Sequence, residues 1–231
     1  MKKNTMMRLA SGLLVAVLLS TCAISGTFAK YITEKESTDT ARVAKFGVDL
    51  AVTVDGAFAT EYDADTTATD KLGVAIAKTV VAAADDQDNL VAPGTKGDLM
   101  ASATIAGTPE VAVNVKQEAT LVLTNWAVDG TYYCPLVITV DGTKFYGMDY
   151  AGEADPLTAF IEAVEGALDS DINYAPNTNL TESHSVTWAW AFEGTDGKQT
   201  DELDTALGNY AAKTGDITIS FTYKVTVTQI D

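Results

Sequence analysis

The stretch Ile217-Thr218-Ile219-Ser220-Phe221-Thr222-Tyr223-Lys224-Val225-Thr226-Val227-Thr228 decides how this chain folds. Apolar or aromatic side chains hold every odd position, and threonine, serine or lysine every even one. Successive side chains of a β-strand point to opposite faces, so the alternation predicts a strand with one greasy and one hydroxylated face. The period recurs upstream. Phe46, Val48, Leu50, Val52 and Val54 share a face, as do Leu99, Ala101, Ala103 and Ile105. Val111, Val113 and Val115 follow, then Ala119, Leu121 and Leu123. Leu136, Ile138 and Val140 run into Asp141-Gly142, a favoured two-residue hairpin turn, and Phe145 opens the return strand. Val186, Trp188, Trp190 and Phe192 make an aromatic face. Together with Phe221 and Tyr223, the aromatics Trp188, Trp190 and Phe192 are expected in the core.

Helical spacing is rare. Leu157, Phe160, Ile161, Val164 and Leu168 follow it, with Asp155 as N-cap and Pro156 in the first turn. Asp201 to Leu207 reads as a short helix closed by Gly208. Leu72 to Ala84 fits either period, and its glycine and β-branched residues favour a strand. Thr60 to Asp70 reads as a solvated loop. Seven or more strands, mostly buried on one side, imply antiparallel pairing. The predicted fold is all-β: an antiparallel β-sandwich of jelly-roll type, with one inserted helix and a short C-terminal helical turn.

Composition narrows the function. The 231 residues carry 15 Lys+Arg against 32 Asp+Glu, a net charge of −17, with one His and two Cys. So acidic a chain repels a phosphate backbone, which argues against nucleic-acid binding. A single histidine, His184, rules out the HExxH zinc arrangement, which needs two imidazoles one helical turn apart. His184 shares strand parity with Val186 and Trp188, so it is expected to point inward as a structural residue. There is no GxSxG elbow, P-loop or dinucleotide-binding glycine pattern, and Ser183 and Ser185 gain no triad geometry merely by flanking His184. No catalytic residue, metal ligand or cofactor is assigned. Asp63-Ala64-Asp65 and Asp85-Asp86-Gln87-Asp88 could lend oxygens to Ca²⁺, but neither has the EF-hand spacing.

The N-terminus reads as a secretory signal. Lys2, Lys3 and Arg8 precede an apolar run from Leu9 to Ile24, then Thr27-Phe28-Ala29 offers small residues at −3 and −1. Cleavage is expected between Ala29 and Lys30. The run is shorter than the ~20 residues a spanning helix needs, so no stable membrane span is expected after cleavage. Leu19-Ser20-Thr21-Cys22 is a poor lipobox, with Thr before the cysteine and the cysteine inside the run. Cleavage removes three basic residues and no acid, taking the charge from −17 to −20. It also removes Cys22, leaving Cys134 without a disulfide partner and, beside Tyr132, Tyr133 and Pro135, reading as a buried hydrophobe. The expected organisation is a signal peptide at 1–29, an N-terminal segment at 30–42 and a single domain at 43–231.

That N-terminal segment, Lys30 to Arg42, is polar, with Tyr31 and Ile32 as anchors and Thr33, Glu34 and Lys35 after them. It is either a frayed terminus or a free strand that adds to a neighbour's sheet. In the second case each copy gives a strand and receives one, and the contact propagates head to tail.

Four segments together resemble a known family. Ile24-Ser25-Gly26-Thr27-Phe28-Ala29-Lys30-Tyr31 and Asp39-Thr40-Ala41-Arg42-Val43-Ala44-Lys45-Phe46 are similar to the signal and first strand of the TasA/camelysin-like secreted proteins of Gram-positive bacteria, processed by a SipW-type signal peptidase. Val91-Ala92-Pro93-Gly94-Thr95-Lys96-Gly97 resembles the family's Pro-Gly turn before a strand. Trp188-Ala189-Trp190-Ala191-Phe192-Glu193 with Asp201 to Gly208 resembles its C-terminal signature. The resemblance implies a jelly-roll subunit of extracellular biofilm-matrix fibres, joined by donor-strand exchange, with Lys30 to Arg42 as donor. Its partners would be other copies of itself and other matrix proteins. Camelysins are also classed as metallopeptidases, an activity for which this sequence offers no zinc ligands. The competing expectation is a monomeric surface adhesive or binding module.

Overall fold

The computed structural model describes residues 42–54, 56–62, 67–69, 75–78, 81–84, 89–190, 198–214 and 217–230. The leader, the Ala29–Lys30 cleavage point, the segment Tyr31 to Lys35, both acidic Ca²⁺ candidates and Phe192 lie outside them. In chain order the strands are β1 (Val48–Thr53), β2 (Glu61–Tyr62), β3 (Thr67–Thr69), β4 (Ala75–Lys78), β5 (Val81–Ala82), β6 (Lys96–Gly107) and β7 (Val113–Thr124). There follow β8 (Ala127–Val128), β9 (Thr131–Tyr132), β10 (Leu136–Val140), β11 (Thr143–Tyr146), β12 (Ser170–Tyr174), β13 (Leu180–Trp190) and β14 (Thr218–Gln229). The helices are α1 (Pro156–Gly166) and α2 (Asp201–Thr214), and a 3-10 turn covers Gly147–Tyr150.

The chain is mostly β and all its paired strands are antiparallel. A five-stranded sheet runs β1-β6-β13-β10-β11, and a three-stranded sheet runs β12-β7-β14. Alternation explains their common core. Leu99, Ala103, Leu136, Ile138, Val186, Trp188 and Trp190 from the first sheet are buried in one cluster with Ala119, Leu121, Leu123, Phe221 and Tyr223 from the second. The β10–β11 hairpin turns at Asp141-Gly142, both with positive φ (48° and 83°), the geometry a type I′ turn demands.

Helix α1 begins where Asp155 caps it, accepting from the Thr158 amide at 3.3 Å, and it buries Phe160 and Val164. At its far end two carboxylates extend the small sheet. Glu165 Oε1 accepts from the Leu121 amide at 2.8 Å and Asp169 Oδ1 from the Ala119 amide at 2.7 Å. These bonds fall beyond the last residues that β12 pairs with, so side chains finish on β7 what the five-residue strand leaves undone.

Three expectations need correction. The short helix closed by Gly208 is a fourteen-residue helix that passes through it. Gly208 meets nothing within 4 Å of where a Cβ would sit and has no positive φ, so it is tolerated rather than a stop. Tyr210, Ala211 and Ala212 carry the helix on, with Asp201, Glu202 and Asp204 in the first turn and Lys213 in the last to suit the dipole. The supposed loop at Thr60 to Asp70 contains β2 and β3, and its Tyr62 is buried, its hydroxyl donating to the Leu90 carbonyl at 3.0 Å. Finally, the apolar face of β1 and its flanks is buried only in part: Val48 and Val54 are partly buried, whereas Phe46, Leu50 and Val52 are exposed.

The Pro-Gly turn ahead of β6 is held by Thr95, whose hydroxyl donates to the Ala92 carbonyl at 2.7 Å, while Gly94 takes a φ of 86°. Two residues on, Gly97 lies under the Trp188 indole, whose Nε1 donates to the Ala57 carbonyl at 2.7 Å. A Cβ on Gly97 would stand 2.7 Å from that carbonyl and 2.9 Å from that nitrogen. Gly97→Ala should therefore cost about 2 kcal/mol in urea unfolding, by prising the indole from its acceptor; an unchanged midpoint would mean the contact yields freely.

Candidate functional site

The long alternating strand lies at an edge. β14 pairs with β7 along its whole length, from Thr218 opposite Thr124 to Gln229 opposite Val113. Among the described residues no strand pairs with its other side. Every second residue of this twelve-residue strand turns its amide and carbonyl to that side, where they require partners.

The strand facing this edge from the other sheet is β1, itself an edge and close to β14. Leu50 stands in register with Ile105 and Val52 with Ala103. Register partners project to the same side, and Ile105 and Ala103 are both buried. Leu50 and Val52 therefore point inward, yet they are 46% and 38% exposed. The cause is the mismatch of five strands against three. At one end the gap closes, where Val48, Val225 and Val227 pack on the cluster of Ile105, Val113, Val115 and Leu180. Along the rest, no strand among the described residues covers the free edge of β14 or the exposed Leu50 and Val52.

Between the sheets lies a second feature, a polar chain through the core. Gln117 occupies an inward position of β7 and is only 3% exposed. Its Oε1 accepts from the Tyr223 hydroxyl. Its Nε2 donates to Ser170 Oγ at 2.8 Å and to Glu182 Oε2 at 2.7 Å, while Glu182 Oε1 accepts from the Tyr174 hydroxyl. Burial, then the nearby charges of Glu182, Asp141 and Asp169, push the Tyr223 hydroxyl up, so it stays a donor. The ring of His184 meets Tyr223 edge-on, its Nδ1 lying 2.7 Å from Asp141 Oδ2, and its Nε2 is buried without a partner. Ser183 and Ser185 are exposed on the other parity, so His184 is not aimed at a neighbouring nucleophile. Cys134 is fully buried and its thiol is pushed up to about 12 by desolvation, far from a reactive thiolate.

Trp188, Trp190, Phe221 and Tyr223 are buried core residues. Among the described residues no three His, Cys, Asp or Glu side chains converge as a metal cage. No described helix is long and apolar enough to cross a membrane. No family model matches this chain, and neither a curated protein nor a solved structure matches it.

Sequence reading missed Gln117 and Asp204. Gln117 falls in phase with Val113, Val115, Ala119 and Leu121, and a polar residue in an apolar phase was the available signal. Asp204 sits among first-turn acids that look solvent-facing, yet it is 6% exposed. Its Oδ1 accepts from the Tyr133 hydroxyl at 2.5 Å and the Trp190 indole at 3.1 Å, tying α2 to the sheet, and its Oδ2 has no partner. Desolvation raises this carboxyl to about 6, against the hydrogen bonds of Tyr133, Trp190 and Gln199 that lower it. A raised folded pKa means that between about pH 4 and 6 the folded chain keeps a proton the unfolded chain has released, so Asp204 adds stability on acidification and costs about 3 kcal/mol near neutrality. Asp204→Asn should flatten that pH dependence, read as thermal midpoints between pH 4 and 7. Asp204→Ala should lose about 1–3 kcal/mol near pH 4 by orphaning buried donors, and less near neutrality, where the wild-type carboxylate carries its own desolvation cost.

Proposed function

We propose that this chain is a secreted structural subunit of extracellular or cell-surface fibres, a jelly-roll-type sandwich that polymerises when one copy donates a strand to the next. The observation that carries the reading is the edge of β14, unpaired among the described residues, beside inward-facing but exposed Leu50 and Val52 of β1. A long apolar-sided edge invites a strand from another chain unless it is blunted by proline, a bulge or inward charge. The inward face of β14 carries no charge, and its Lys224 points outward. The segment Lys30 to Arg42, thirteen residues ahead of β1, is long enough in extended form to span a twelve-residue edge. Its resemblance to the start of TasA/camelysin-like proteins supports the same role and a matrix location. Binding would be mostly backbone hydrogen bonding, with Tyr31 and Ile32 as anchors.

Two half-disabled variants test this. A chain lacking 30–42 keeps the acceptor, and Leu50→Asp keeps the donor while charging the floor; Leu50 is exposed enough to bear the change without unfolding. Each alone should remain a monomer by size exclusion and form no fibres by negative-stain microscopy. Mixed, they should pair as heterodimers and stop there. Fibres from either variant alone would end the strand-donation reading.

Charge adds a further expectation. At about −20 after leader removal, subunits repel one another, and screening shortens that repulsion as the Debye length falls to ~8 Å at physiological salt. Fibre yield at neutral pH should rise between low and physiological ionic strength.

A further inference from the structure

The polar chain between the sheets contains the parts of an acyl-transfer centre. Gln117 supplies a carboxamide carbon, shut away from water with its carbonyl and nitrogen already engaged. Ser170 supplies a hydroxyl. It is the register partner of Gln117 across the β7–β12 pair, and its Oγ lies 2.8 Å from the carboxamide nitrogen. Glu182 reaches the same nitrogen from the opposite sheet at 2.7 Å. Tyr223 donates to Gln117 Oε1, where negative charge develops when a carbonyl carbon is attacked. Nucleophile, acyl group and oxyanion donor are thus held together by fixed strands, with the Glu182 carboxylate on the nitrogen that must leave, which is what converts a sluggish exchange into an intramolecular one.

We propose that Ser170 and Gln117 join through an ester bond, formed within the folded chain with loss of ammonia. Ser170 Oγ attacks Gln117 Cδ while its hydroxyl proton passes to Nε2, 2.8 Å away, a nitrogen that Glu182 holds at 2.7 Å. The tetrahedral oxyanion is held by the Tyr223 hydroxyl. The Cδ–Nε2 bond then breaks, and the nitrogen, now carrying that proton, leaves as ammonia past Ser170 and Glu182, which are only partly buried. One C–O bond replaces one C–N bond, nothing is oxidised or reduced, and no co-reactant is required. The product ties the five-residue edge strand β12 to the centre of its sheet in a chain whose one described cysteine is buried and free. Once formed, the ester lies where Gln117 was, away from hydrolytic water.

The test is the mass and peptide map of the purified, folded full-length chain. The expected result is a mass one ammonia below that of its sequence, with a branched peptide that joins the Gln117 and Ser170 segments and is opened by hydroxylamine. Ser170→Ala should restore the sequence mass and lower the thermal midpoint by roughly 10 °C, the scale of a cross-link closing a loop of about fifty residues. Tyr223→Phe and Glu182→Gln, which keep the packing, should slow bond formation at least tenfold during refolding from denaturant. Wild-type chain with Gln117 and Ser170 in separate linear peptides would overturn the proposal, and so would ammonia loss mapped to any other residue. The peptide map of the wild-type chain decides the matter even if a variant fails to fold.

Discussion

Backbone amides and carbonyls withdrawn from water need partners, and in this chain that demand shapes both sheets. β7 meets it on one side with β14 and on the other first with β12, then with the carboxylates of Asp169 and Glu165. β6 meets it between β1 and β13, where a register shift around Ser185 is absorbed by Asp141, which accepts the Ser185 amide at 2.8 Å. β14 stands apart. Its outer edge is as long as its paired edge, and among the described residues nothing completes it.

The same imbalance accounts for the exposed apolar side chains. In a five-stranded sheet set against a three-stranded one, β1 meets β14 only in part, so among the described residues Leu50 and Val52 face inward and stay exposed. Apolar surface of this kind is costly to keep wet and costs nothing once another strand covers it. Opposed edges of two sheets therefore make one feature: a hydrogen-bonding wall and a greasy floor meeting along a single line.

How far the sequence revealed this depends on what each signal encodes. Period-two alternation reports strand and facing, so β7, β10, β13 and β14 were legible, as were the Asp141-Gly142 turn and the Asp155-Pro156 start of α1. Alternation reports nothing about which strands become neighbours. β1 has as good an apolar face as any, and only the sheet order shows that, among the described residues, no strand covers its Leu50 and Val52. Gly208 misled because glycine is a stop signal only where the backbone turns left-handed, and here it does not. Gln117 was passed over because runs of valine and leucine draw the eye past one polar residue in their own phase, although that residue joins both sheets.

All three indoles are interior: Trp126, Trp188 and Trp190 are each under 5% exposed, with Trp126 and Trp190 in edge contact at 5.6 Å. The Trp190 nitrogen is bonded to the carboxylate that anchors α2, whereas Phe221 and Tyr223 are the buried aromatics on β14. The molecule thus carries its own optical partition. Loosening of the helix would shift tryptophan emission to the red, and covering the β14 edge would leave that colour almost unaltered, so plain fluorescence can tell unravelling from docking at that edge without any dye.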